Sequence, residues 1–248
     1  MAQYSYNPKD YPLGPAPRIS ILWRTDGAAE IVDTDAGRVL RLSVSGAAGR
    51  HGFAVQDEHG SDIVAGDMEV FTEHVDVTGF LVVRSGGRLG GAAGSENGYQ
   101  TGTDGDFVYA GSMYRYLNGD IGVISRPDVD ETASLPMTSR FRAEGSSLSA
   151  EMTWNNGANQ RSSAGTHISH ASGRIGSVLF AVGTSDISFI GIGTEGDPAP
   201  TQPLDDYRFL YDPYLFSIAG VGNIPTLSAP GVIDITATSA RPQVTLTY

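Results

Sequence analysis

Two stretches of the chain change side-chain character at every second position. Gly66 to Arg84 reads GDMEVFTEHVDVTGFLVVR, and Arg140 to Trp154 reads RFRAEGSSLSAEMTW. Period two is the signal of half-buried strands. Each stretch predicts an antiparallel hairpin, reversing at Asp76-Val77-Thr78-Gly79 in the first and at Glu144-Gly145-Ser146 in the second. Gly145 supplies a permissive backbone where the chain must turn. In the second hairpin Phe141 and Leu148 fall on the face expected to be core. Further strands read ISILWR from Ile19, AEIVD, RVLRLSV, FVYAGSMYRYL, IGVISR, GRIGSVLFAV and DISFIGIGT. The glycine- and alanine-rich SGAAGRHG and RSGGRLGGAAGSENG read as loops, the second of them long. No window carries a helical stripe. The pattern predicts an all-β fold, a two-sheet antiparallel sandwich.

Both ends depart from this pattern. Residues 1–18 carry Tyr4, Tyr6 and Tyr11 among Pro8, Pro12, Pro15 and Pro17. Proline at this density blocks helix and central strand, so an extended aromatic arm is expected. The sandwich is expected over 19–220. Over 221–248 a linker-like GVGNIPTLSAPG leads to two strands, VIDITAT and QVTLTY. Two strands cannot build a core of their own. Tyr4, Tyr6 and Tyr11 on the arm, and Val232, Ile235, Val244 and Leu246 on the last strands, are therefore expected to be assembly contacts with other subunits. The alternative is that both ends fold back on their own sandwich.

Composition narrows the function. At 248 residues the chain can bury a two-sheet core as one domain. It has no cysteine, which excludes disulfides, thiolate metal sites and a cysteine nucleophile. A net charge of −12 argues against nucleic-acid and anionic-membrane partners. The opening MAQYSYNPKDYPLGPAPR has no apolar stretch of a secretory signal, and no apolar run reaches membrane-spanning length.

Several segments in order carry a resemblance: Val39-Leu40-Arg41-Leu42, Asp67-Met68-Glu69-Val70, GFLVVR, Glu96-Asn97-Gly98-Tyr99, RFRAEGSSLSAEMTW, and Ser172-Gly173-Arg174-Ile175-Gly176 leading to DISFIGIGT. Together, over about residues 20–195, they resemble the concanavalin A-like lectin/glucanase jelly roll. The wording, with GTEGDPAPTQPL and ITATSARPQVTLTY after it, is similar to jelly rolls of tailed-bacteriophage structural proteins. The resemblance implies a jelly-roll sandwich and, on the phage side, a virion protein of the tail, a fibre or the outer capsid, made in the bacterial host cytoplasm.

Glucanases of this fold use acids on one strand face, one attacking the sugar and another protonating the leaving oxygen. Here Asp67, Glu69 and Glu73 share a face, but their order departs from the family's, and no catalytic residue is expected. The acids are expected to pair with Arg84 or Arg115 across strands. Thr101 to Asp106 resembles a fragment of a calcium loop without its full spacing, and Asp128, Asp130 and Glu131 read as a solvated turn. His167 and His170 lack further ligands. No metal and no cofactor are expected. Sugars are held by aromatic faces ringed by planar polar groups. Trp154 with Asn155 and Asn156, and Tyr99 with Asn97 and Glu69, are the candidate glycan contacts, with Trp154 expected to be exposed. Two functions compete. The first is a non-enzymatic virion protein assembling through its termini, in a homo-oligomer or with other virion subunits. The second is a carbohydrate-binding module for host-surface glycans, and a glycan hydrolase trails both.

Overall fold

The computed structural model describes residues 2–24, 26–46, 49–79, 82–103, 108–127, 132–180, 182–204, 233–236 and 243–246. Two antiparallel sheets account for the strands up to Thr194. The first runs in the order β15 (Asn159–Thr166), β14 (Ser147–Trp154), β13 (Met137–Glu144), β8 (Met68–Thr78), β17 (Gly183–Thr194), β5 (Gly37–Val44), β4 (Gly27–Thr34) and β2 (Gly14–Pro15), with β1 (Ala2–Tyr6) also pairing β17. The second runs β12 (Asp120–Ser125), β11 (Ser112–Leu117), β10 (Asn97–Gly102), β9 (Val82–Gly90), β16 (Gly173–Phe180), β6 (Arg50–Val55) and β3 (Ile19–Leu22), with β7 (Val64–Ala65) beside β16. The chain passes repeatedly from one sheet to the other, as in a jelly-roll sandwich.

Alternation on the first sheet decides what is inside. On β14 Leu148, Ala150, Met152 and Trp154 are buried, and the intervening positions face out. On β13 Met137, Phe141 and Ala143 do the same. They meet Leu40, Leu42, Phe53, Val70, Ile175 and Leu179 in one core. The β13–β14 hairpin has the expected register, Glu144 opposite Ser147 and Phe141 opposite Ala150. Gly145 takes φ +55 in its two-residue turn, the left-handed conformation a tight hairpin requires.

The core also holds a polar stripe. Ser85 of β9 donates to Thr72 Oγ1 of β8 at 2.9 Å and bonds Ser139 of β13, joining the two sheets across the interior. His74 is buried beside it, and its Nδ1 meets Ser185 Oγ at 3.1 Å. Burial pushes the His74 imidazole down to about 3, because a cation there would lose its hydration.

Three expectations are corrected. Gly66 to Arg84 is not a hairpin. β8 pairs β13 and β17, whereas β9 pairs β10 and β16 in the other sheet. Period two identifies a strand but not its partner. The glycine-rich run from Arg84 to Gly90 is strand rather than loop. A Cβ on Gly87 would sit 2.5 Å from Met68 Sδ, so glycine there lets the facing sheet approach. The arm is not free. β1 pairs β17 from Ala2 opposite Thr194 to Tyr6 opposite Ile190. Tyr6 is buried, its hydroxyl donates to Pro17 O at 2.9 Å, and its ring lies 4.9 Å from that of Tyr11. Tyr4 and Tyr11 pack on the same core. The residues expected to reach other subunits from this end are therefore held by their own sandwich, where burial rewards the rings immediately.

The chain divides into two compact units, Met1–Asp205 and Asp206–Tyr248. In the second, β18 (Ile233–Thr236) and β19 (Gln243–Leu246) form an antiparallel pair, with Ile235 opposite Val244 and Ile233 opposite Leu246. Val232 and the expected boundary at 220 lie outside the described residues.

Candidate functional site

The outer face of the first sheet carries a trough over β13, β14 and β15. One part, about 530 Å³, is lined by Glu69, Arg140, Arg142, Ser149, Glu151 and Ser162, with Ala150, Ser163 and Ala164. A second part of about 480 Å³ shares Arg142, Ser149 and Ala164 and continues past Glu144 and Ser147 to Thr166. Small residues make the floor because cross-strand neighbours coincide there. Ser149 stands opposite Ala164 and Arg142, and Glu151 opposite Ser162 and Arg140. From Ser147 to Glu151 the trough runs about 14 Å along β14.

Glu69 anchors one wall. Arg140 donates to its Oε1 at 2.6 Å, the Ala199 N–H donates to the same oxygen at 3.2 Å, and Arg142 lies 3.7 Å from Oε2. Ala199 reaches it because the chain after β17 folds back over the sheet. A Cβ at Gly191 would collide with the Pro200 carbonyl, and one at Gly193 with that of Asp197. The glycines of FIGIGT admit this segment, which buries Glu69. Arg142 also donates to Glu144 at 3.0 Å, and Gln160 to Glu151 at 2.7 Å. Asp67 and Glu73, the acids read together with Glu69, are separately engaged. Asp67 accepts the Gly145 N–H at 2.7 Å and Glu73 accepts from Ser188 at 2.5 Å. The expected partners Arg84 and Arg115 belong to the second sheet, since β8 pairs β13 and β17, not β9.

The predicted glycan contacts do not converge. Trp154 is only 3% exposed and belongs to the core. This corrects the expectation of an exposed ring, and the alternation itself carries the reason, because Trp154 has the parity of Leu148. Tyr99 is fully buried. Its hydroxyl meets His167 Nδ1 at 3.0 Å and accepts the His170 N–H at 3.1 Å. Arg115 lies 3.1 Å from His167 Nε2 and the Ser169 N–H donates to Nδ1 at 3.3 Å, so donors face both ring nitrogens. Burial, followed by the charges of Arg115 and His170, holds the His167 pKa below its usual value. Asn155 and Asn156 form an exposed left-handed turn at φ 53 and 54 that does not line the trough. Asn97 stitches two turns, accepting the Asn118 N–H at 2.9 Å and donating to Ser95 O at 3.2 Å. Only Glu69 of the predicted set lines the trough. Ser149, Glu151 and Ser162 were missed, although the alternation of SLSAEMTW places Ser149 and Glu151 outward. Asp104, Asp106, Asp128, Asp130 and Glu131 lie outside the described residues. Among the described residues no cluster of three or more His, Asp or Glu is arranged for a metal.

No family model matches the chain, and no curated protein sequence matches it. Among solved structures it is similar to the carbohydrate-binding module CBM66 from Bacillus subtilis, at 10% identity and a TM-score of 0.48 over 70% of this chain and 95% of that one. It is similar to the VIP36 exoplasmic/lumenal domain in its Ca2+/Man3GlcNAc-bound form, at 11% identity and 0.48 over 77% and 88%. It is also similar to lectin II from Ulex europaeus, at 10% identity and 0.44 over 77% and 97%. At such identities and superpositions the likeness says nothing of ligand or activity. The two-sheet architecture rests on the strand pairing described above.

Proposed function

We propose that the trough on the outer face of the first sheet binds a glycan without cleaving it. The observation that carries this is the trough's form, an elongated, solvent-open depression floored by serine and alanine and walled by Arg140, Arg142 and Glu151. Guanidinium and carboxylate groups fixed on adjacent strands present planar donors and acceptors at the spacing of a sheet, which suits the hydroxyls of a short oligosaccharide. No aromatic ring lines it among the described residues, so recognition rests on hydrogen bonds. Cleavage is disfavoured by the state of the acids. Glu69 is occupied by Arg140 and the Ala199 N–H, while Asp67 and Glu73 hold other partners. Each of these three acids already holds a partner. A glycan array on the full chain tests the proposal. Arg142→Ala and Ser162→Trp should each abolish the signal while leaving the melting temperature unchanged. An empty array, or binding indifferent to both variants, defeats it, and turnover of laminarin or agarose lost in Glu69→Gln defeats the non-catalytic half.

A second reading places the protein in a virion, assembling through its last strands. It rests on β18 and β19, four residues each and paired only with one another among the described residues. Such a pair is marginal in water and its edges invite a further strand. Deleting residues 226–248 should leave the sandwich folded and reduce the oligomer to a monomer in light scattering. An unchanged mass sinks this reading.

A further inference from the structure

Away from the trough, the second sheet ends in a separate pocket of about 340 Å³, lined by Arg24, Arg50, Glu96, Asn118, Asp120 and Phe180 with glycines 49, 94 and 119 between them. Its framework is rigid. Arg50 lies over the Tyr116 ring, 4.4 Å from the centroid, donates to the Gly119 carbonyl and pairs with Glu96 at 3.4 Å. Glu96 in turn accepts the Gly94 N–H at 2.9 Å, and the Gly119 N–H donates to the Glu96 carbonyl at 3.0 Å. The charge of Arg50 is thus answered inside the frame.

Arg24 is different. Its side chain has no hydrogen bond or ion pair among the described residues, and its Nε is buried without an acceptor. It lies against Gly49, where a Cβ would stand 2.6 Å from the guanidinium carbon. The nearby carboxylate of Asp26 feels the charge of Arg24, but its hydrogen bond is to His51 at 2.6 Å. Arg24 is placed by its neighbour. Trp23 sits at φ 71, a conformation that a tryptophan adopts only when its surroundings impose it. Its indole donates to Gly90 O at 2.9 Å and meets the Tyr116 ring edge-on at 6.5 Å. Phe180, in the same lining as Asn118 and Asp120, keeps 37% of its surface exposed and offers an apolar face. A half-desolvated guanidinium without an acceptor is best answered by a planar carboxylate. An aromatic face, with an amide and a carboxylate beside it, suits the C–H face and hydroxyls of a pyranose ring.

We propose that this pocket binds the carboxylate-bearing ring of an acidic sugar. Arg24 takes the carboxylate, Phe180 the ring face, and Asn118 and Asp120 the hydroxyls. The site is independent of the trough. The test is ligand-observed NMR and calorimetric titration of the full chain with D-glucuronate, D-galacturonate and N-acetylneuraminate, using D-glucose and D-galactose as uncharged controls. At least one acid should bind and the neutral hexoses should not. Arg24→Gln should weaken the acid about tenfold or more, and Phe180→Ala should weaken it as well. Arg142→Ala should leave it unchanged. Arg24 has no hydrogen bond or ion pair to lose among the described residues, so Arg24→Gln should keep the wild-type melting temperature. Binding of none of the acids, equal binding of a neutral hexose, or wild-type affinity in Arg24→Gln overturns the proposal. Loss in Arg142→Ala with retention in Arg24→Gln also overturns it and moves the acid to the trough, whose glycan-binding role would then stand.

Discussion

On the outer face of the first sheet Ser147, Ser149 and Ser162 stand in solvent. On the outer face of the second, Arg84, Gln100, Tyr114 and Tyr116 are as buried as the core. The second sheet carries an additional packed layer in which guanidinium groups lie on aromatic rings, Arg84 over Tyr114 at 3.7 Å and Arg50 over Tyr116 at 4.4 Å. Leu22, Ala54, Leu89 and Val178 form a separate apolar cluster on the same side. The first sheet is amphipathic over β13 to β15, whereas β6, β10, β11 and β16 of the second are largely covered on both faces. An open face can hold an elongated ligand along its strands, while a covered face leaves access only at its ends, where turns meet.

The sharpest way to break this comparison is to truncate one large ring on each side of the second sheet's problem. Phe141→Ala, in the sandwich core, should cost about 3–5 kcal/mol in denaturant unfolding. Tyr116→Ala should cost a similar amount although it lies outside the sandwich core, because it is only 1% exposed. A loss under about 1 kcal/mol at Tyr116 would mean that the outer layer is not packed as described.

The inner face of the first sheet yields the next largest effect. His74 is neutral in the fold and titrates near 3, whereas in the unfolded chain it titrates near the ordinary value of about 6.5. Below pH 6.5 the unfolded state therefore binds the extra proton. The contribution is fully present above pH 6.5 and is lost as pH falls toward 3, on the order of 4 kcal/mol in all. His74→Asn should flatten stability over that window in urea titrations, and an unchanged slope would show that His74 does not carry it. The smallest effect belongs to the open face, where Ser162→Ala should stay within about 0.5 kcal/mol of the parent.

The same contrast explains what the sequence could reveal. β13 and β14 were legible because water on one side and core on the other impose period two. β15, reading NQRSSAGT, was missed because its inward positions, Asn159, Arg161, Ser163 and Gly165, carry no large apolar group. β9 was obscured by its glycines, which signal close approach as readily as a turn. Trp154 was read as exposed from the polar residues after it, against the parity of its own strand. The trough was half legible, since its charged wall lies on the well-patterned β8 and β13. The pocket at Arg24 was not, because it joins residues from 24, 50, 96, 118 and 180 through turns whose meeting depends on the whole topology.

Among the described residues β17 alone joins the two halves of the first sheet, pairing β8 on one side and both β5 and β1 on the other. During synthesis β1 emerges well before the partner strand it pairs from Ala2 opposite Thr194 to Tyr6 opposite Ile190. At roughly 5–20 residues per second, β1 would wait on the order of 10–40 s for the strand that receives it. Until then the edges of β5 and β8 stand open to other nascent chains. On such a half-sheet, exposed serines such as Ser147, Ser149 and Ser162 would oppose association through the outer face while the closing strand is still being made.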